Sequence, residues 1–138
     1  MSRLPVCFFI LMLFLILPYA GTSQTIRDSN SKLIVKISNG EIRDNYSRII
    51  GSINSDGVVR NSSSKKLGTI QDRKVVNGNG MTIFKYDVSE TVRDKNGRLT
   101  YRIGNSDVRN SSGKLIMKYE SIEITHLIGF LCFFYPDV

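Results

Sequence analysis

The chain has 138 residues, 19 Lys+Arg against 12 Asp+Glu, and a formal net charge of +7. That length suits one domain and argues against two. With 41% hydrophobic and 22% charged residues, the composition excludes both a disordered polyelectrolyte and a multispan membrane protein.

Residues 1–23 read as a secretory signal peptide. Arg3 gives the basic start, Val6–Leu17 is an unbroken apolar run, and Pro18 breaks it ahead of small residues. Gly21 and Ser23 fill the two small-residue positions of a cleavage site after Ser23. The apolar run is short for a bilayer span of ~20 residues, which favours a removed leader over an anchor. Cleavage removes Arg3 and Cys7 and leaves Cys132 as the sole cysteine, so the mature chain has no internal disulfide framework.

Residues 24–121 read as one repeat domain. Six segments align, starting at Ile26, Ile42, Val59, Val76, Val92 and Val108, at intervals of 16 or 17 residues. Each runs apolar, Arg, Asp or Asn, small turn formers, a basic residue, then Leu/Ile and a closing Ile/Tyr. In this alignment the fourth copy is one residue shorter and carries Asn77 where the others carry Arg. The period is too short for paired-helix repeats. Ser, Asn and Gly dominate the repeats and the mature segment contains no Ala, which works against helix.

Each repeat therefore reads as a β-hairpin, with Asn39-Gly40, Asn79-Gly80 and Asn96-Gly97 as two-residue turns of positive φ. Alternation points Ile42, Val59, Val92 and Val108 inward and the neighbouring Arg outward. A hairpin this small cannot bury its apolar face alone, so the repeats must pack around a shared axis, and closure removes exposed sheet edges. The expected fold is all-β: about six hairpin repeats of 16–17 residues arranged pseudo-symmetrically around an axis.

The run of apolar, Arg, Asp/Asn, two variable residues, Gly/Ser, Arg/Lys, Leu/Ile, behind a leader and ahead of an apolar end, resembles the 4-/5-fold β-flower proteins exported by bacteria. The resemblance covers Thr25–Tyr119 and extends through His126–Tyr135. It implies hairpin petals around an axis and export. It brings no established activity, catalytic residue or cofactor. Asn77 and the Ser-rich, Gly-poor turns of the first three copies depart from the pattern.

Residues 122–138 form an apolar end packed on the same domain, with the run Leu127–Tyr135 far too short to span a membrane. It reads as a plug at the axis or as a closing strand. Thr125 offers a helix cap, whereas Phe133-Phe134-Tyr135 favours a strand. As a strand it would bring His126 and Cys132 to one side, the only geometry that favours a nucleophilic pair. Cys132 otherwise reads as a small buried hydrophobe.

No catalytic group, metal site or cofactor is expected. Arg27, Arg43, Arg60, Arg93 and Arg109 share one repeat position and are candidate anion- or glycan-binding residues. Lys32, Arg48, Lys65, Arg98 and Lys114 share another. The competing reading pairs each Arg with Asp/Asn or with turn carbonyls of its own or the next repeat. The acids Asp28, Asp44 and Asp94 follow the repeat, which points to structural use. The expected function is a non-enzymatic structural or interaction module of the cell envelope. The alternative binds or hydrolyses envelope glycans with the repeat-borne Arg and Asp. Partners expected on this basis are envelope polysaccharide or another envelope protein, with self-association through hairpin edges as a further route. Nucleic acid is not among them, because aromatics do not interleave with the basic residues.

Overall fold

The computed structural model describes residues 24–135. The leader, residues 1–23, and residues 136–138 lie outside the described residues.

Twelve short strands follow one another around a closed antiparallel barrel. They are β1 (Thr25–Asp28), β2 (Leu33–Ser38), β3 (Glu41–Asp44), β4 (Ile49–Ile53), β5 (Val58–Asn61), β6 (Lys66–Gln71), β7 (Lys74–Asn77), β8 (Thr82–Tyr86), β9 (Thr91–Asp94), β10 (Leu99–Ile103), β11 (Asp107–Asn110) and β12 (Leu115–Glu120). Every strand pairs with its sequence neighbours, and β12 closes on β1 through Thr25↔Glu120, Ile26↔Tyr119 and Arg27↔Lys118. Each repeat supplies one hairpin. All six repeat turns therefore crowd one rim of the barrel and the inter-repeat turns the other.

The expected inward residues are inward. Ile42, Val59, Val92 and Val108 have no exposed surface, and Ile26 and Val75 join them. In the fourth copy the structure corrects the alignment. Val75 is the buried residue, so Val76 stands in the arginine position and Asn77 in the Asp/Asn position. The copy is full length. Two adjacent valines made the register ambiguous in the bare sequence.

The turns also differ from expectation. Asn39-Gly40 is a two-residue turn with both φ positive, at 52° and 79°. Asp72-Arg73 forms another such turn without glycine, with φ of 53° and 61°. Asn79 and Asn96, however, are not left-handed; the repeat turns are longer. In the fifth repeat the Gly97 amide donates to the Asp94 carbonyl and the Asp94 amide to the Arg98 carbonyl. Gly97, at φ 80°, supplies the left-handed residue of this turn, and the β9–β10 register shifts further along, between Leu99 and Tyr101.

A twelve-stranded barrel is too wide for its own inward side chains to fill. The apolar end fills it as a helix, α1 (Ile124–Phe133), with Leu127, Ile128, Phe130 and Leu131 fully or almost fully buried. Helix wins over strand because the closed sheet offers no edge to pair with, and a helix satisfies its backbone internally. Its N-cap is Glu123, not Thr125, and no side chain caps it. Gly129 abuts Ile53 and Ile70 toward the inter-repeat rim, while Phe133 and Phe134 reach Gly68 and Gly51 nearer the repeat-turn rim. The helix thus runs along the axis from one rim toward the other.

Candidate functional surface

The repeat turn is the basic unit of this surface. Its Asp or Asn sits at a strand end, where its Oδ1 accepts amide hydrogens from two and four residues on. Asp28 takes those of Asn30 and Lys32 at 2.8 and 2.9 Å, and Asn61 those of Ser63 and Lys65 at 2.9 and 3.0 Å. Asp44, Asn77, Asp94 and Asn110 repeat the arrangement. An amide oxygen serves as well as a carboxylate, which explains why Asp and Asn alternate freely here.

The five candidate arginines have a shared local partner. Arg27, Arg43, Arg60, Arg93 and Arg109 each donate from Nη1 to the carbonyl of the residue four further on, at 3.2, 2.9, 3.1, 3.2 and 3.0 Å. In every case the acceptor residue (Ser31, Ser47, Ser64, Gly97, Gly113) has positive φ. The guanidinium ties down the carbonyl of the left-handed residue. Arg43 also pairs with Glu41, and Arg109 with Asp107 at 3.6 Å. The second basic set, Lys32, Arg48, Lys65, Arg98 and Lys114, closes the turn through main-chain amides and leaves exposed side chains. Among these, Arg48 bonds Asp44 at 3.0 Å and lies over the Tyr46 ring at 5.2 Å.

Two carboxylates are held below their ordinary range. Burial alone would raise Asp44, but hydrogen bonds from the Arg48 and Tyr46 amides and the Arg48 guanidinium outweigh it. Asp87 is lowered chiefly by the Thr91 hydroxyl, which donates at 2.7 Å, and then by the Thr91 amide.

A third basic set escaped the sequence reading. Just before the closing Ile/Tyr of four repeats stand Lys36, Lys85, Arg102 and Lys118, all exposed; Ser52 and Thr69 hold the place in the other two. The register sets each directly opposite the first-strand residue of the next repeat. The resulting pairs are Lys36↔Arg43, Lys85↔Arg93, Arg102↔Arg109 and Lys118↔Arg27. Lys74 faces Lys85 from the other side. Every strand from β7 through β12 and on through β1 to β3 therefore carries an outward basic residue at this level. Over β4–β6 the same level carries Ser52 and Thr69, with the basic Arg60 on β5 facing Ser52. The signal was present in the aligned repeats, but its meaning required the pairing across repeats.

The tail holds no nucleophilic pair. On a helix, residues six apart lie about 120° apart around the axis, so His126 and Cys132 do not share a face. Burial pushes the Cys132 thiol up to about 12. An open cleft of about 300 Å³ at the repeat-turn rim is lined by turn residues (Lys32, Asn45), by strand residues (Asp28, Leu33, Ile34, Ile116) and by Tyr135 after the helix. Among the described residues no group of three His, Cys, Asp or Glu is placed to hold a metal ion.

Residues 23–135 match the family model described as 5-fold beta-flower protein. The chain belongs to that family. The described residues of this β-flower fold six hairpins, whereas the family's description is 5-fold. No curated protein and no solved structure matches it. Among its described residues no helix is long and apolar enough to cross a membrane.

Proposed function

We propose that this β-flower is an exported structural or interaction module of the bacterial cell envelope, with no turnover of its own. The observation that carries the reading is the way the repeats use their polar groups. Each Asp/Asn and each motif Arg serves its own turn, and α1 fills the interior, so the molecule presents a rigid outer wall. The acids that a glycan hydrolase would draw on, Asp28, Asp44 and Asp94, each accept two backbone amides. That supports a structural role for them. Export rests on the leader-like residues 1–23.

Fractionation of cells producing a C-terminally tagged chain tests the proposal. A shortened species in the periplasm, on the surface or in the medium is the expected result. Full-length protein confined to the cytoplasm would overturn it.

A further inference from the structure

We infer that the basic belt on β7–β12 and β1–β3 is a binding track for a linear acidic polysaccharide. Like charges placed directly opposite on adjacent strands destabilise a sheet. The turn clip accounts for the motif arginines but not for the residues facing them. Lys36, Lys85 and Arg102 make no ion pair or hydrogen bond through their side chains among the described residues, and Lys118 reaches only the Ser31 hydroxyl, at 3.3 Å. Four seams of the barrel carry such an opposed pair. Arg43 and Arg109 already have Glu41 and Asp107 beside them, but Lys36, Lys85, Arg93, Arg102, Lys118 and Arg27 have no carboxylate partner among the described residues. A polyanion laid across the seams neutralises these and releases their counterions.

Geometry selects the kind of polyanion. The belt follows the girth of a closed, convex barrel, where a flat bilayer would meet only a few strands at a time. A polymer chain bends around it. Adjacent strands lie ~4.8 Å apart, comparable with the length of one sugar unit, so one acidic group per sugar meets about one basic residue per strand. Thr25 is buried, and the belt's other outward residues include Thr91 and two acids, Glu41 and Asp107, which pair with Arg43 and Arg109. It offers no aromatic platform of the kind that single-stranded nucleic acid stacks on. The choice of a glycan rests on the export proposed above; the belt itself does not.

The test uses purified protein and four probes: polygalacturonate, neutral dextran, an oligothymidylate of matched charge, and vesicles rich in phosphatidylglycerol. Titration should show salt-dependent binding of polygalacturonate and none of dextran. A belt variant, Lys85→Gln/Arg102→Gln/Lys118→Gln, should lose about tenfold in affinity with its circular dichroism unchanged. A turn variant with the same charge change, Lys65→Gln/Lys95→Gln/Lys114→Gln, should lose less than about threefold. Equal losses in the two variants would overturn the proposal, as would tighter binding of oligothymidylate or vesicles than of polygalacturonate, or silence toward all four probes. Cell fractionation is independent of these titrations, so an exported protein that ignores polygalacturonate would refute the belt and leave the structural module standing.

Discussion

Gly51 leaves the space that the Phe134 ring occupies: a β-carbon built on it would overlap the ring's edge. Gly68 stands in the same relation to Phe133. The equivalent inward positions of the other repeats carry Val35, Phe84, Tyr101 and Met117, paired with Ile26, Val75, Val92 and Val108. Small residues on β4 and β6 and large ones on β8, β10 and β12 thus displace α1 toward the glycine side. The pseudo-symmetric barrel has an off-centre plug.

That fit predicts the cost of filling it. Gly51→Val and Gly68→Val should each destabilise by at least about 1–3 kcal/mol, because the new side chain overpacks against the rings and its β-carbon also meets the Arg60 or Val76 carbonyl. Urea midpoints at unchanged m-value measure the loss. Combining Gly51→Val with Phe134→Leu should recover part of it, whereas the pair Gly51→Val and Phe133→Leu should recover less. Equal recovery from both pairs would show that the two aromatics do not have separate seats.

The corrected fourth repeat makes an unusual prediction. By the sequence alignment, Asn77→Arg restores the consensus and should help. In the structure Asn77 accepts the amides of Asn79 and Met81, both at 3.0 Å, so Asn77→Arg should cost about 1 kcal/mol. Asn77→Asp should be tolerated. Val76→Arg should be neutral or stabilising by up to about 1 kcal/mol, because it adds the clip onto the Gly80 carbonyl. Thermal melts of the three variants rank them directly.

The limits of the sequence reading have physical causes. Alternation exposed the inward Ile42, Val59, Val92 and Val108 because those strands bury one face only. The β12–β1 seam was not legible in detail, because Thr25 and Glu120 meet through ring closure rather than local pattern. Helix and strand were indistinguishable for Ile124–Phe133, a run of β-branched and aromatic residues whose form is set by a barrel with no free edge. The Asp72-Arg73 turn was missed because neither residue is glycine. The belt residues were visible one by one, but only the register turns them into opposed pairs.

Acid should destabilise the turns through Asp44 and Asp87. Both carboxylates titrate below the ordinary 3.8 in the folded protein. A depressed folded value means stability that is fully present above about 3.8 and is lost as pH falls toward the lower folded values. Melting temperature should therefore be flat near neutrality and drop below pH ~4. Asp44→Asn and Asp87→Asn should each flatten that drop while keeping the Oδ1 acceptor. An unaltered acid limb in both variants would assign the effect to other groups.

Cys132 should be chemically silent in the folded state. With its thiol pushed up to about 12 by burial, almost no thiolate exists at pH 8. Cys132 is partly exposed but almost wholly protonated, so a disulfide-exchange reagent should react slowly and become fast in denaturant. Prompt reaction in native buffer would mean that α1 leaves the barrel readily, since its Leu127, Ile128 and Phe130 are fully buried alongside the thiol's helix.

The belt makes an opposite prediction to that for a protein stitched together by ion pairs. Opposed like charges at four seams should each cost about 0.2–1 kcal/mol in dilute buffer. Salt with a Debye length near 10 Å at 0.1 M shortens their reach, so added sodium chloride should raise the melting temperature. Lys85→Thr and Arg102→Ser, which copy the Thr69 and Ser52 that hold the equivalent places, should each stabilise the barrel and shrink the salt response. The three surface ion pairs work the other way, but exposed pairs contribute only about 0–1 kcal/mol each and are screened by the same salt. If salt lowers the melting temperature instead, those pairs outweigh the seams and the repulsion invoked for the belt is too weak to require a partner.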